Sequence, residues 1–320
     1  MKCKVLLVGG NGFIGSHLSG HLLEAGYGVR ILDPHKELFR EKSEGIEYIN
    51  GSFANTFLVR EAIEGCEVLV QLAHSTIPAS SLIHPEQEVL DSVGAFVNMI
   101  NCFKTGYIKK VLFLSSGGAV YGNANLMPIT EAFDTNPISP YGVAKLMIEK
   151  YLFMFSYLYD LKYIIVRPSN PYGPRQNFRG NQGVIPIFLD KMLRKEIIQV
   201  WGDGTAIKDY IYIGDLCKAV VSLIETGFDN SVYNIGSGTG TNLKQLLASL
   251  SNVCGIKPSV EYLVSNRFDV HDSVLCSDKL SARTGWHPTV SLEDGMSRTL
   301  DWLSTFHQLA KDQGSGMAGG

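Results

Sequence analysis

Residues Lys4-Val-Leu-Leu-Val-Gly9-Gly-Asn-Gly-Phe-Ile-Gly15-Ser-His-Leu18 decide the fold. The short, valine-bearing apolar run reads as a buried parallel strand. Glycines at 9, 12 and 15 then permit a tight turn. They let the backbone approach a pyrophosphate at the start of a helix, expected from Ser16 to about Ala25. A second strand, Gly28-Val-Arg-Ile-Leu-Asp33, ends in a carboxylate about twenty residues beyond the glycines. Asp33 can accept hydrogen bonds from an adenosine ribose and repel a 2′-phosphate, which favours NAD over NADP. His35, Lys36 and Arg40 stand close enough to keep NADP open as the alternative.

Outward from this unit, strand and helix signals alternate. Strands are expected at 46–50, 68–73, 110–116 and 162–168, and helices near 56–64, 85–104 and 141–159. The pattern predicts an α/β fold: a doubly wound Rossmann domain over residues 1–168 with six parallel strands, and a returning segment near 210–236. A smaller mixed α/β domain over 169–311 would bind substrate, and 312–320 reads as a flexible tail. Within the second half, 185–197, 215–225 and 242–254 read as helices, 232–235 as a strand and 200–213 as a hairpin. Segment 170–183 is a long polar loop, a type that is more often functional than ornamental. The loops at the C-terminal strand ends (9–15, Asp33, 73–75, 115–118, 168–170) converge on one ligand cleft.

Chemistry concentrates between Val111 and Lys145. An apolar strand runs into Ser115-Ser-Gly-Gly118, and Ser139-Pro140 opens a helix with a cap and a first-turn proline. Tyr141 and Lys145 are four residues apart and share one helix face. An ammonium near a phenol pulls its pKa down from about 10, which makes Tyr141 a proton acceptor at neutral pH. Beyond Lys145 this helix is apolar nearly all round, so something covers it on both sides, either a large domain or a second subunit.

The chain has 320 residues, 45% hydrophobic and 18% charged, with a formal net charge of −3. That length holds one large domain or two intimate ones, and the charge offers no basic surface for nucleic acid. No apolar run approaches a membrane span, and Met1-Lys-Cys-Lys leads straight into a strand, so no membrane segment or signal peptide is expected. Six scattered cysteines without a Cys-x-x-Cys pair read as reduced thiols of a cytoplasmic protein. His17, His21 and Glu24 lack the His-Glu-x-x-His arrangement, so no metal is expected there, nor at His271, Asp272 and Cys276.

With these features in place, the chain resembles the extended short-chain dehydrogenase/reductases, and among them the nucleotide-sugar epimerase group typified by UDP-glucose 4-epimerase. The resemblance rests on the glycine turn, Val120-Tyr-Gly122, Pro140-Tyr-Gly-Val-Ala-Lys145, Arg167-Pro-Ser-Asn-Pro-Tyr-Gly-Pro174, Gly204–Asp215 and Tyr233-Asn-Ile-Gly236. It implies NAD as cofactor, with Phe13, Ile14, Ser52, Phe53, Leu72, Ala73, Ser115 and Pro168 joining the glycines and Asp33 around it. It implies Tyr141 as the base and Lys145 as the residue that holds the nicotinamide ribose. The substrate would be a nucleotide-linked sugar contacted by Gly117, Asn170, Val184, Trp201 on the nucleobase, Lys208 on phosphate, and an Arg267/Asp269 arm. A homodimer is the expected assembly.

Departures from the group narrow this picture. Where relatives carry Ser or Thr four residues before the Tyr of Val-Tyr-Gly, this chain has Gly117, which leaves Ser116 as the candidate hydroxyl. Gly118 and Ala119 replace the Asp-Glu that dehydratases need. Ser52 replaces the acidic residue usual at the adenine, and Gly183 stands where an Asn often precedes the substrate-domain helix. Ser273 matches a site where a bulky Tyr restricts some epimerases to plain hexoses, so a 2-acetamido sugar is favoured. Three functions compete: a redox-neutral C4 epimerase, a nucleotide-linked 4-keto-6-deoxysugar reductase consuming NAD(P)H, and a non-catalytic cofactor-binding protein. The survival of both Tyr141 and Lys145 ranks the non-catalytic protein last, and a pocket lined by Gly117, Gly118 and Gly183 suits the sugar turnover of the epimerase, the leading reading.

Overall fold

A computed structural model describes residues 2–315 apart from Glu41, Ser75, Ile77, Asn181 and 265–269. Arg267 and Asp269 lie outside the described residues. Strands β1 (Lys4–Val8), β2 (Gly28–Asp33), β3 (Ile46–Asn50), β4 (Cys66–Gln71), β5 (Lys110–Leu114) and β6 (Lys162–Pro168) follow in chain order. The second half adds β7 (Asn170–Tyr172), β8 (Ile198–Trp201), β9 (Ile207–Tyr212), β10 (Ser231–Ile235), β11 (Gly240–Asn242) and β12 (Val260–Leu263).

The main sheet is parallel throughout in the order β10-β6-β5-β4-β1-β2-β3. To the six strands expected within residues 1–168 it adds a seventh, from the returning segment. The extra one, β10, returns from the second half to pair with β6, Ser231 opposite Ile164 through Ile235 opposite Pro168. Successive β1 residues feed opposite faces: Val5 and Leu7 join one core, with helices Phe13–Glu24 and Ile213–Thr226, while Leu6 and Val8 join the other. That second core is covered by helices Thr56–Ile63, Ala95–Asn101 and Pro140–Tyr159. Burial on both faces is why these strands read as unbroken apolar runs.

The smaller lobe holds a β11-β9-β7 sheet and a β12-β8 pair, against helices Val184–Leu193, Leu243–Cys254 and Leu292–Ser315. Phe188, Leu189, Leu246, Leu250, Met296 and Leu303 form its core. The hairpin expected over 200–213 does not form: β8 pairs with β12, and β9 pairs with β11 and β7. Gly202 and Gly204 take left-handed backbone between them and carry the chain from one sheet to the other. The tail expected from 312 also shifts, since the last helix continues to Ser315.

Three local differences touch the ligand cleft. The serine strand ends at Leu114, and Gly117–Val120 is a helical turn. The helix near 85–104 is not uniform: Val89–Gly94 is a π-helical stretch between α-helical Pro85–Glu88 and Ala95–Asn101. Helix Pro140–Tyr159 starts as expected, the Ser139 hydroxyl accepting from Gly142 N at 3.2 Å. One side of it lies on the sheet. The other is open: Val143, Met154, Leu158 and Tyr159 are exposed, with Phe153 at 63% and Tyr157 at 83%.

Candidate active site

The glycine turn is shaped partly by the protein and partly for something else. A Cβ on Gly9, whose φ is +81°, would come within 2.6 Å of Ala73 N, and one on Gly15 within 2.5 Å of Gly10. Backbone packing therefore dictates both. A Cβ on Gly12 would meet only the Gly9 carbonyl, at an ordinary 3.5 Å. Gly12 also caps the helix Phe13–Glu24 without any side chain, and no acidic residue sits in the first turn. The first N–H groups and the positive end of the helix are left for an anion. A dinucleotide pyrophosphate fits that cradle.

Asp33 is buried at the end of β2, its carboxylate accepting from Asn11 N at 3.1 Å and His35 N at 2.9 Å. It borders a cavity of about 460 Å³ lined also by Lys36, Tyr48 and Asn50. Arg40, the cation that kept NADP open, is forked onto Glu37 at 2.6 Å by two nitrogens and reaches Ser19 at 3.0 Å. Phe13 and Ile14 open the helix, Leu72 and Ala73 follow β4, and Phe53 packs on the second core. Ser52 is exposed and accepts from Ala54 N at 3.2 Å. Pro168 ends β6 beside β10. Ser115 needs correction. Its hydroxyl is buried and donates to Glu149 at 2.5 Å, and its N–H donates to the Val166 carbonyl at 2.8 Å, so neither donor is left for a ligand.

Tyr141 is half-buried and Lys145 fully so, on adjoining turns of one helix. The Lys145 ammonium donates to the Leu114 carbonyl at 2.8 Å and lies 4.9 Å from the Phe113 ring centroid and 5.6 Å from that of Tyr141. Burial lowers Lys145 to about 7 against the opposing charges of Glu88 and Glu149. Burial also pushes the Tyr141 phenol well above its usual range, opposed by a hydrogen bond from Ser116 and reinforced by Glu88. This departs from the expected fall toward neutrality. The ammonium lies over the tyrosine ring, and desolvation outweighs the Ser116 hydrogen bond.

Gly117 has a steric reason to be glycine. A Cβ there would sit 2.5 Å from Leu275 Cδ1 and 3.1 Å from the Pro168 carbonyl oxygen. The adjoining hydroxyl, on Ser116, is the one within hydrogen-bonding reach of Tyr141.

In the smaller lobe Asn170 Nδ2 donates to the Asp209 carbonyl at 2.9 Å, and the Lys208 ammonium donates to the Val270 carbonyl. Val184 begins its helix after Gly183. Trp201 is 59% exposed, an aromatic face left open. Ser273 is 1% exposed and its hydroxyl has no partner, so the expected room beside it is not an open one.

Sequence reasoning missed a buried layer beneath the site. Arg167 forks onto Glu149 at 3.0 and 2.6 Å and covers the Tyr121 ring at 4.8 Å, and Tyr121 donates to Asn234 at 2.8 Å. Glu149 stands four residues after Lys145, so helical spacing was a usable signal. His74 and Ser81 also abut the tyrosine, with Glu88 behind His74: the His74 ring packs in a T shape against that of Tyr141, and Ser81 Oγ accepts from Tyr141 N at 3.2 Å. Of these only His74 carried a sequence signal, its place just past the C-terminal end of β4.

A phosphate cradle at the first strand end, with a tyrosine, lysine and serine across the sheet, defines an extended short-chain dehydrogenase/reductase. The chain belongs to the NAD dependent epimerase/dehydratase family, which it matches over residues 5–236. It is an NAD-dependent enzyme of the nucleotide-sugar epimerase group. The UDP-glucose 4-epimerase of Mycolicibacterium smegmatis is 30% identical over 310 residues, covering 94% of this chain and 98% of that one. The dTDP-4-dehydro-6-deoxyglucose reductase of Escherichia coli is 31% identical over 308 residues, covering 93% and 97%. The crystal structure of the Thermotoga maritima UDP-glucose 4-epimerase with UDP-glucose superposes with a TM-score of 0.89 at 34% identity, covering 95% and 99%.

Proposed function

We propose that the protein inverts C4 of a nucleotide-linked hexose, a UDP-sugar, through a transient 4-keto sugar. The observation that carries this is the Ser116–Tyr141–Lys145 set beside an anion cradle, with Gly118 and Ala119 where dehydration would need acids. NAD, when bound, supplies a hydride acceptor that can return the hydride. Tyr141 takes the C4 hydroxyl proton and gives it back, Ser116 orients that hydroxyl, and Lys145 binds the nicotinamide ribose and offsets developing phenolate charge. Trp201 stacks on the nucleobase, Asn170 and Lys208 bind the diphosphate, and Gly117 and Val184 border the sugar. The open face of helix Pro140–Tyr159, beside exposed Val89 and Leu90, covers itself against a second copy, giving a homodimer. Its six cysteines are all free, which suits a cytoplasmic enzyme. Among the described residues, no helix is long and apolar enough to cross a membrane.

NMR of the protein with UDP-glucose, UDP-GlcNAc and UDP-glucuronate, without added cofactor, tests the assignment. Epimer formation is expected, and Tyr141→Phe should abolish it while cofactor stays bound. The similarity to the E. coli reductase favours one alternative, 4-keto-6-deoxysugar reduction. Stoichiometric loss of NAD(P)H absorbance with such a sugar, and no epimer from the panel, would establish it.

A further inference from the structure

A histidine and a glutamate outside this chemistry are buried directly behind the base. His74 lies just past β4, and Glu88 ends the helical turn before the π-helical stretch. Their side chains are 7% and 0% exposed, with His74 Nε2 2.6 Å from Glu88 Oε1. The N–H is poorly aligned, so neither atom makes a well-formed hydrogen bond, and His74 Nδ1 has no partner either. The carboxylate is held from other sides by the Thr76 hydroxyl and by Ser92. The His74 and Tyr141 rings pack in a T shape, centroids 4.7 Å apart at 79°. A buried carboxylate is costly unless something uses its charge or its grip.

We propose that His74 and Glu88 are positioning residues for Tyr141 and Lys145: Glu88 holds His74, whose T-shaped packing against Tyr141 fixes the plane of the phenol, and the Glu88 charge acts on both reacting side chains. This rests on Tyr141 being the base. The charged and titratable groups around the pair are Tyr141, Lys145 and Glu149 on helix Pro140–Tyr159, with His74 on the β4 loop and Glu88 on its own helix. Burial, then the Lys145 charge, lowers His74 to about 4, so it is neutral at pH 7. Burial raises Glu88, but its contacts with His74, Thr76 and Ser92 outweigh it and hold the carboxyl below its usual range. A negative charge here raises both Tyr141 and Lys145. Removing it must therefore move the titration of the base to lower pH.

The test is the pH profile of kcat for the cofactor-loaded enzyme and its Glu88→Gln, His74→Gln and Tyr141→Phe variants. Glu88→Gln should shift the acidic limb to lower pH. His74→Gln keeps an amide for Glu88 but no ring against Tyr141, and should lower kcat about tenfold with KM unchanged. His74→Phe, which restores a ring, should recover part of that loss. An unmoved limb in folded Glu88→Gln, with Tyr141→Phe dead, overturns the positioning role and leaves the base intact. A wild-type rate for Tyr141→Phe overturns both. Where Glu88→Gln does not fold, wild-type kcat in His74→Gln overturns the proposal.

Discussion

Gly117→Ser restores a hydroxyl at the position where relatives carry one, and Leu275 decides the outcome. The new Cβ arrives 2.5 Å from Leu275 Cδ1, 3.1 Å from Cδ2 and 3.1 Å from the Pro168 carbonyl oxygen. Leu275 is fully buried among Val120, Tyr121 and Ile129, so its side chain has little room to turn away. Overpacking of this kind costs about 1–3 kcal/mol. Denaturant titration should show the midpoint falling by that amount with the slope unchanged. Leu275→Ala alone should cost about 2–5 kcal/mol, because it empties a filled site. Combined, the two should cost less than their sum by more than about 0.5 kcal/mol, since each relieves the other. Activity gives a second readout. Ser116→Ala should lower kcat by about 10–100-fold, the worth of one hydrogen bond to a charged oxygen. Gly117→Ser should not rescue it while Leu275 is present. Additive stabilities, or rescue by serine at 117 with Leu275 in place, would refute the steric reasoning.

Three other outcomes follow from the same geometry. Lys145 falls from its ordinary 10.5 to about 7 when buried, so the folded state is penalised for the ammonium at low pH. Between those values the unfolded chain binds more protons, and the stability of cofactor-free protein should rise with pH, a slope that Lys145→Met should remove in denaturation series. Glu149→Leu strands the buried Arg167 guanidinium and should cost about 3–5 kcal/mol, whereas Glu149→Leu with Arg167→Met should cost less in the same unfolding assay. Glu37→Ala releases Arg40 from its fork and should tighten NADP binding to the apo-protein about tenfold in a fluorescence titration.

The dinucleotide half was legible because phosphate recognition constrains consecutive residues. Gly9, Gly15 and Asp33 lie in one βαβ unit, where spacing alone fixes their relation. Tyr141 and Lys145 were legible for the same reason, one helical turn apart. The sign of the effect on Tyr141 was not, since desolvation depends on what the fold packs around the ring. His74 and Glu88 are brought together by tertiary structure alone, and Gly117 looked like a loss until Leu275, far along the chain, was seen filling its space. The expected hairpin failed because alternation predicts strands but not partners: β8 and β9 are adjacent in sequence and belong to different sheets. The strand at 232–235 and its return to the first domain were legible; its partner was not. Ser231–Ile235 pairs with β6, a pairing that depends on the path of the whole second half.

The central claim is that hydride leaves and returns to the same carbon inside one closed site around Tyr141. UDP-glucose labelled with deuterium at C4, incubated with the enzyme and no added cofactor, tests it in a single NMR experiment. The account predicts C4-inverted product that retains the label, with none formed by Tyr141→Phe. Loss of the label to solvent, or its appearance on free reduced cofactor without inverted sugar, would contradict it.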